Sequence, residues 1–308
     1  MRKSQIGLTV GSILALGLVA GAHGGGSSAP DDDKRAEFCF SSIDVPGATA
    51  TSNAMGINSR GDIVGAFTDA AGSHGYLLSD GALSKIDYPG AVYTDARGIN
   101  SRGDIVGGYR MAGEPAVNIH GYLRTRHGEF VPVDFPGHTN TIPQRITRNG
   151  LLLGCRHDTD TMSTMRGVMI NAHDPSESAE IGEFASMNNG ATPDASLIVG
   201  LYTEMETGRG RGYLLYGETF IPFDVPGSTF TAAWDVNPEG TVVGVYRNAI
   251  GFHGFLWERL RFRTVDFPGA SATRLFGINS GGDVVGNYAD AAGKVHGFVA
   301  TVDRKRCK

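Results

Sequence analysis

Val265-Asp266-Phe267-Pro268-Gly269, followed by Gly277-Ile278-Asn279, Gly282-Asp283-Val284-Val285-Gly286 and His296-Gly297-Phe298, is one copy of a pattern that tiles the chain after residue 38. The Asp-x-Pro-Gly step recurs at Asp44, Asp87, Asp134, Asp224 and Asp266. One gap is double, which places a degenerate copy near Ile181-Gly182-Glu183-Phe184. The result is six units of roughly 45 residues, a period that belongs to solenoids, propellers and arrays.

Each unit holds four short apolar runs. In the last copy they are Leu260 to Val265, Arg274 to Ile278, Asp283 to Tyr288 and Val295 to Val299. All are rich in Val, Ile, Phe and Tyr and bounded by Gly, Asn, Asp or Pro, which is the pattern of strands joined by turns. No stretch shows helical apolar spacing, and 45 glycines in 308 residues work against long helices. Pro268-Gly269 supplies the two φ values of a type II turn. Asn58-Ser59-Arg60-Gly61-Asp62 and Asn279-Ser280-Gly281-Gly282-Asp283 are tight hairpins.

A small antiparallel sheet cannot bury both faces alone, whereas sheets packed around an axis bury them against each other. The expected fold is all-β: a six-bladed β-propeller of four-stranded antiparallel blades. In the favoured phasing the last blade lacks its outer strand, and residues 37 to 43 supply it, so the two chain ends close the ring. The rival phasing has six self-contained blades.

Residues 1–22 read as a signal peptide: a basic start at Arg2-Lys3, an apolar stretch, and Ala20-Gly21-Ala22 at a small-residue cleavage step. A retained anchor helix is the alternative. Residues 23–36 read as a disordered linker and 37–308 as one propeller domain. The net charge of −5 and the absence of a basic stripe argue against nucleic acid. No second apolar run is long enough to span a membrane after cleavage. Export permits a disulfide, and Cys39 and Cys307 would staple the ring ends. Cys155 is left over, as a small buried hydrophobe. The expected product is a monomeric secreted or periplasmic bacterial protein.

Gly-Ile-Asn-Ser-Arg-Gly-Asp-Ile-Val-Gly at 56–65 and 98–107, with His-Gly-Tyr-Leu at 74–77 and 120–123 or His-Gly-Phe at 253–255 and 296–298, resembles the bacterial extracellular HAF-repeat family. The resemblance covers essentially the whole mature chain. It implies secretion and a repeat β-fold, and it carries no activity or catalytic residues to transfer.

Polar residues present in every unit are expected to build it. Asp44, Asp87, Asp134, Asp224 and Asp266 precede proline, Asn58, Asn100, Asn188, Asn237 and Asn279 mark the hairpins, and His74, His120, His253 and His296 precede glycine. Arg166 and Arg211 replace the histidine in two units. Arg60-Gly61-Asp62 and Arg102-Gly103-Asp104 read as hairpin chemistry rather than adhesion motifs.

The departures from the repeat carry the functional leads. Loops of unequal length fall on one face, where a rigid scaffold tends to place function. His157, Asp158 and Glu204 are the catalytic candidates, as an acid–base set. Asp158, Asp160 and Glu206 are the metal candidates, an oxygen-rich site that would suit Ca²⁺. Tyr93, Asp95, Arg97, His138, Asn140 and Trp234 are the ligand-binding candidates, suited to stacking on and hydrogen bonding a sugar. No nucleophile, zinc or phosphate-loop motif occurs. The leading reading is a binding module for a glycan or other cell-surface polymer, with no cofactor required. A glycoside hydrolase or lyase working at the channel mouth and a protein-interaction scaffold are the alternatives.

Overall fold

The computed structural model describes residues 4–6, 9–10, 38–138, 140–158 and 164–302. Apart from one 3-10 turn at Pro175–Glu177, the described regular elements are strands. The units are antiparallel meanders arranged about a central channel. Their inner strands are Ala50–Ile57, the split pair Ala91–Thr94 and Gly98–Ile99, Asn140–Ile146, Ser186–Ala191, Phe230–Val236 and Ala272–Ile278.

The expected count of six separate four-stranded blades is not what the hydrogen bonds make. Among the described residues five sheets form; four of them stand as single blades of four or five strands, and the fifth has nine. That sheet runs through the first and second repeats, because Ser73 and Tyr93 pair in parallel across the boundary between them. The cause is local. Pro89-Gly90 leads at once into Ala91–Thr94, so the second inner strand begins against its neighbour. Two of the single blades have a fifth strand, where Ser4–Ile6 and Thr9–Val10 add in parallel to Ala179–Ile181 and Thr219–Phe223. The rest of residues 1–36, on which the signal-peptide and linker readings fall, lies outside the described residues.

The ring is closed by the two ends of the chain. Cys39–Ile43 pairs antiparallel with Val295–Thr301. Phe40 brings an aromatic ring 5.4 Å from Phe267 and 5.8 Å from the fully buried Phe298. Cys39 is disulfide-bonded and Cys155 is free and buried; Cys307, the expected partner of Cys39, lies outside the described residues.

The Pro-Gly steps are type II turns, as their composition predicts. Gly47 and Gly269 sit at φ 82° and 75°, and Ala48 and Ala270 donate back to Val45 and Phe267. The Val-Gly of each second strand answers to a bulge. The inner strand carries one extra residue opposite it, as between Ala54 and Gly56 or Leu275 and Gly277. The inner strand therefore crowds its partner, and a Cβ on Gly65 or Gly286 would be driven into the carbonyl oxygen of Asn53 or Arg274. An aromatic ring of the third strand, such as Tyr76 or Phe298, packs over the same glycine.

Phe298→Ala removes a fully buried ring from the closing blade. It is expected to cost about 3–5 kcal/mol, read as a fall in the urea midpoint without a change in slope.

Candidate functional site

The repeated polar residues clasp each unit to itself. Nδ1 of His74, His120, His253 and His296 lies 2.6, 2.9, 2.8 and 2.6 Å from Asp87, Asp134, Asp266 and Asp44. Three of these rings meet a second acid from the variable loop: Asp69 at 3.1 Å, Glu114 at 2.9 Å and Asp290 at 3.4 Å. Arg211 does the same work between Asp224 and Glu204. The hairpin asparagines join neighbours. Asn58 Nδ2 donates to Asn100 O, and Asn100 Nδ2 to Thr147 O. These sets build the ring, as the sequence implies, with one correction: Asn188 is not at a hairpin but within Ser186–Ala191, where it donates to Val168 O, and Thr192 takes the hairpin place.

Around the channel two residues break the pattern. Gly56, Gly98, Gly190 and Gly277 occupy a position where the third and fifth repeats place Arg145 and Asp235. At this level neighbouring inner strands touch: a Cβ on Gly98 would lie 2.6 Å from Gln144 O, and one on Gly190 2.5 Å from Asp235 Cα. Arg145 is threaded through the remaining opening. It donates to the carbonyls of Arg97 (2.9 Å), Met55 (3.0 Å) and Phe276, and pairs with Asp235 Oδ2 at 3.2 Å. Asp235 also accepts from the N–H groups of Val236 and Ile278. Burial raises its carboxyl, and Arg145 opposes that shift. The pair seals the channel. Below it a cavity opens on the tight-hairpin face, among Asn58, Asn100, Thr147, Arg148, Asn237 and Asn279.

Above the seal, on the variable-loop side, lies one residue from each repeat at the bulge position: Met55, Arg97, Gln144, Asn189, Trp234 and Phe276. The fifth, sixth and first repeats give an apolar arc, with Trp234 edge-on to Phe276 at 4.8 Å. The second, third and fourth give a polar arc, with Arg97 Nη1 3.4 Å from Gln144 Oε1. Arg97 is held by Asp95 at 2.6 Å, and Asp95 also accepts from Tyr93 Oη at 2.7 Å. Burial, then the Asp95 charge, holds the Tyr93 phenol in its protonated form. Asn189 Oδ1 is buried and has no hydrogen-bond partner.

Of the ligand-binding candidates, Tyr93, Asp95 and Arg97 come together, and Trp234 lies in the same channel layer. His138 and Asn140 serve the loops instead. His138 pairs with Asp158 at 2.6 Å, and Asn140 Oδ1 accepts from Ile119 N at 2.9 Å. The catalytic candidates are not assembled. Asp158 is committed to His138 and Arg156, and Glu204 to Arg211 and Thr207. His157 lies 3.4 Å from Cys155 Sγ. Burial, then Arg97 and Arg156, lowers its pKa, and burial pushes the Cys155 thiol up to about 12. Of the metal candidates, Asp160 lies outside the described residues and Glu206 is exposed. Among the described residues no three acidic, His or Cys side chains are grouped to hold a metal ion.

Sequence reading missed Arg145, Asp235, Gln144 and Asn189. For the first two the signal was present: they are the non-glycine residues at a position glycine fills elsewhere. For the others nothing short of the bulge register brings them inward.

No protein-family model matches the chain, and no curated protein does. Solved structures show its fold. It is similar to a putative TolB from Agrobacterium tumefaciens (13% identity, TM-score 0.55, covering 80% of this chain and 89% of that one). It is also similar to a gluconolactonase from Xanthomonas campestris (10%, 0.52, 82% and 87%). A third is the β-propeller domain of the trilobed protease from Pyrococcus furiosus (9%, 0.52, 86% and 98%), which has an open velcro topology. The chain is thus an all-β propeller, and at these identities the likeness extends to the fold alone.

Two predictions follow from these contacts. Arg145→Ala leaves Asp235 buried without its cation and should cost about 3–5 kcal/mol. The Arg145→Gly/Asp235→Gly double variant should cost less than the sum of its singles, with coupling of about 1–3 kcal/mol in a denaturation cycle. Additive costs would dismiss the seal. The second concerns the clasp of the second repeat. Burial works against the His120 cation, but the hydrogen bonds it donates to Asp134 and Glu114 outweigh it and raise the pKa. That contribution is complete below the ordinary histidine value of 6.5 and is lost as pH rises through the raised folded value. Glu114, lowered by Met111 N–H and then by His120, contributes above its ordinary 4.5 and loses this as pH falls. The melting-temperature gap between wild type and His120→Gln should therefore be widest between pH 4.5 and 6.5 and shrink on either side.

Proposed function

We propose that the chain is a secreted binding module that holds a glycan or another cell-surface polymer at the variable-loop mouth of its sealed channel. The observation that carries this reading is the split layer above Arg145: an apolar arc ending in half-buried Trp234, facing a polar arc of Arg97, Gln144 and Asn189. A sugar ring has the same division, with C–H faces that stack on aromatics and hydroxyls at its edge. Arg97, partly exposed and oriented by Asp95, offers guanidinium donors to such hydroxyls. The resemblance to extracellular HAF repeats supports export. The loop carboxylates of the hydrolase alternative are engaged in ion pairs with His138, Arg156 and Arg211, which favours binding over catalysis.

Calorimetry against a panel of neutral and acidic oligosaccharides tests the reading. At least one should bind, and Trp234→Ala should weaken it about tenfold or more, as loss of an aromatic anchor does. Wild-type protein that binds no member of the panel, or a Trp234→Ala variant with undiminished affinity, would overturn it.

A further inference from the structure

Several arginines of the ring are paired with acids. Arg60, Arg97, Arg145, Arg156, Arg209 and Arg211 each reach a carboxylate. Arg247 and Arg274, on the variable-loop face, do not. Arg274, on the inner strand Ala272–Ile278, lies with Cζ 4.5 Å from the centroid of the Phe252 ring. Arg247, across the strand pair from Phe252, lies 5.6 Å from the same centroid. Phe230 supports that ring edge-on at 6.3 Å. Neither guanidinium has a hydrogen bond or ion pair to any carboxylate among the described residues.

This arrangement is unfavourable as it stands. Two like charges share one aromatic ring, and Arg274 is partly desolvated; burial alone lowers its pKa. A cation–π contact returns about 0.5–2 kcal/mol, yet each guanidinium keeps its N–H donors uncommitted. The loop that follows Arg247 supplies no acid to this cluster. The first, second, fourth and sixth repeats carry Asp69, Glu114, Glu204 and Asp290 in this loop, and the fifth has only Asn248. On the other face of the same strand, His253 Nε2 is accordingly buried without a partner.

We propose that Arg247 and Arg274, braced on Phe252, bind an anionic group of an acidic polysaccharide, a carboxylate or a sulfate on the polymer. The proposal rests on the glycan-binding reading and narrows its ligand class. A guanidinium fork matches the geometry of either group, and the ligand brings the negative charge that this cluster lacks. Exposed Arg247 would admit the group and half-buried Arg274 would anchor it.

The test uses full-length mature protein and three probes of equal length: a neutral glucan, a polygalacturonate and a sulfated glucan. Wild type should prefer at least one acidic probe over the neutral one by about tenfold or more. Arg274→Gln should remove most of that preference and flatten its salt dependence, while Arg102→Gln, an exposed charge on the opposite face, should leave both in place. The acidic probe that binds identifies carboxylate or sulfate as the recognised group. It should also raise the melting temperature of wild type and not of Arg274→Gln, which separates lost binding from lost folding. Equal affinity for acidic and neutral probes, or equal loss in Arg102→Gln and Arg274→Gln, overturns the inference and leaves the glycan reading standing. Failure of all three probes to bind overturns both.

Discussion

Inner strands of neighbouring repeats meet backbone to backbone, and the rest of the molecule is fitted to that contact. Where Gly56 faces Gly98 and Arg97, or Gly190 faces Asp235, there is no volume for a Cβ. A ring drawn this tight leaves a narrow axial opening. Arg145 fills it, and its guanidinium satisfies carbonyls from the first, second and sixth repeats and a carboxylate from the fifth. One side chain thus ties together strands far apart in sequence. Its burial is tolerable because Asp235 stands opposite; an uncompensated charge there would be strongly destabilising.

The same crowding decides where variation is allowed. Second-strand glycines are fixed by the bulge, inner glycines by the neighbouring strand, and His, Asp and Asn by the clasps that join strand to strand. The residue expelled at each bulge has no partner in the ladder. Its side chain is not held by the cross-strand register, so its identity is open. The six positions hold Met, Arg, Gln, Asn, Trp and Phe, no residue twice, whereas glycine fills four of the six positions that follow them.

Much of this was legible in the sequence. Strand positions, turn types, the structural role of the Asp, Asn and His sets, and the pairing of Cys39–Ile43 with the last described strand follow from pattern and turn chemistry. The number of separate sheets did not, because it hangs on the single Ser73–Tyr93 bridge, which depends on how soon after Pro89-Gly90 the second inner strand begins. The loop acids misled for a related reason. Asp158 and Glu204 stand out by composition, yet composition does not show that His138 and Arg211 already hold them. Asn140 looked like a ligand group and proves to cap the Ile119 amide.

Absence of a partner, rather than presence of a motif, is what distinguishes the outward face of this ring. Repetition makes the expected contact at each position explicit, so a missing one can be recognised. Asn189 Oδ1 lacks a donor, and the fifth loop lacks the acid that four sister loops give to the His position, so that His253 Nε2 is unmet while Arg247 and Arg274 beside it meet no carboxylate. A buried acceptor or a desolvated cation costs free energy in the empty protein, and a folded chain retains that cost most readily where something outside it supplies the partner. Both deficits lie on the variable-loop side of the Arg145 seal. The opposite face shows tight hairpins whose asparagines are engaged with their own and the next repeat. The asymmetry of unmet polar groups therefore points the same way as the asymmetry of loop length, and it does so on independent physical grounds.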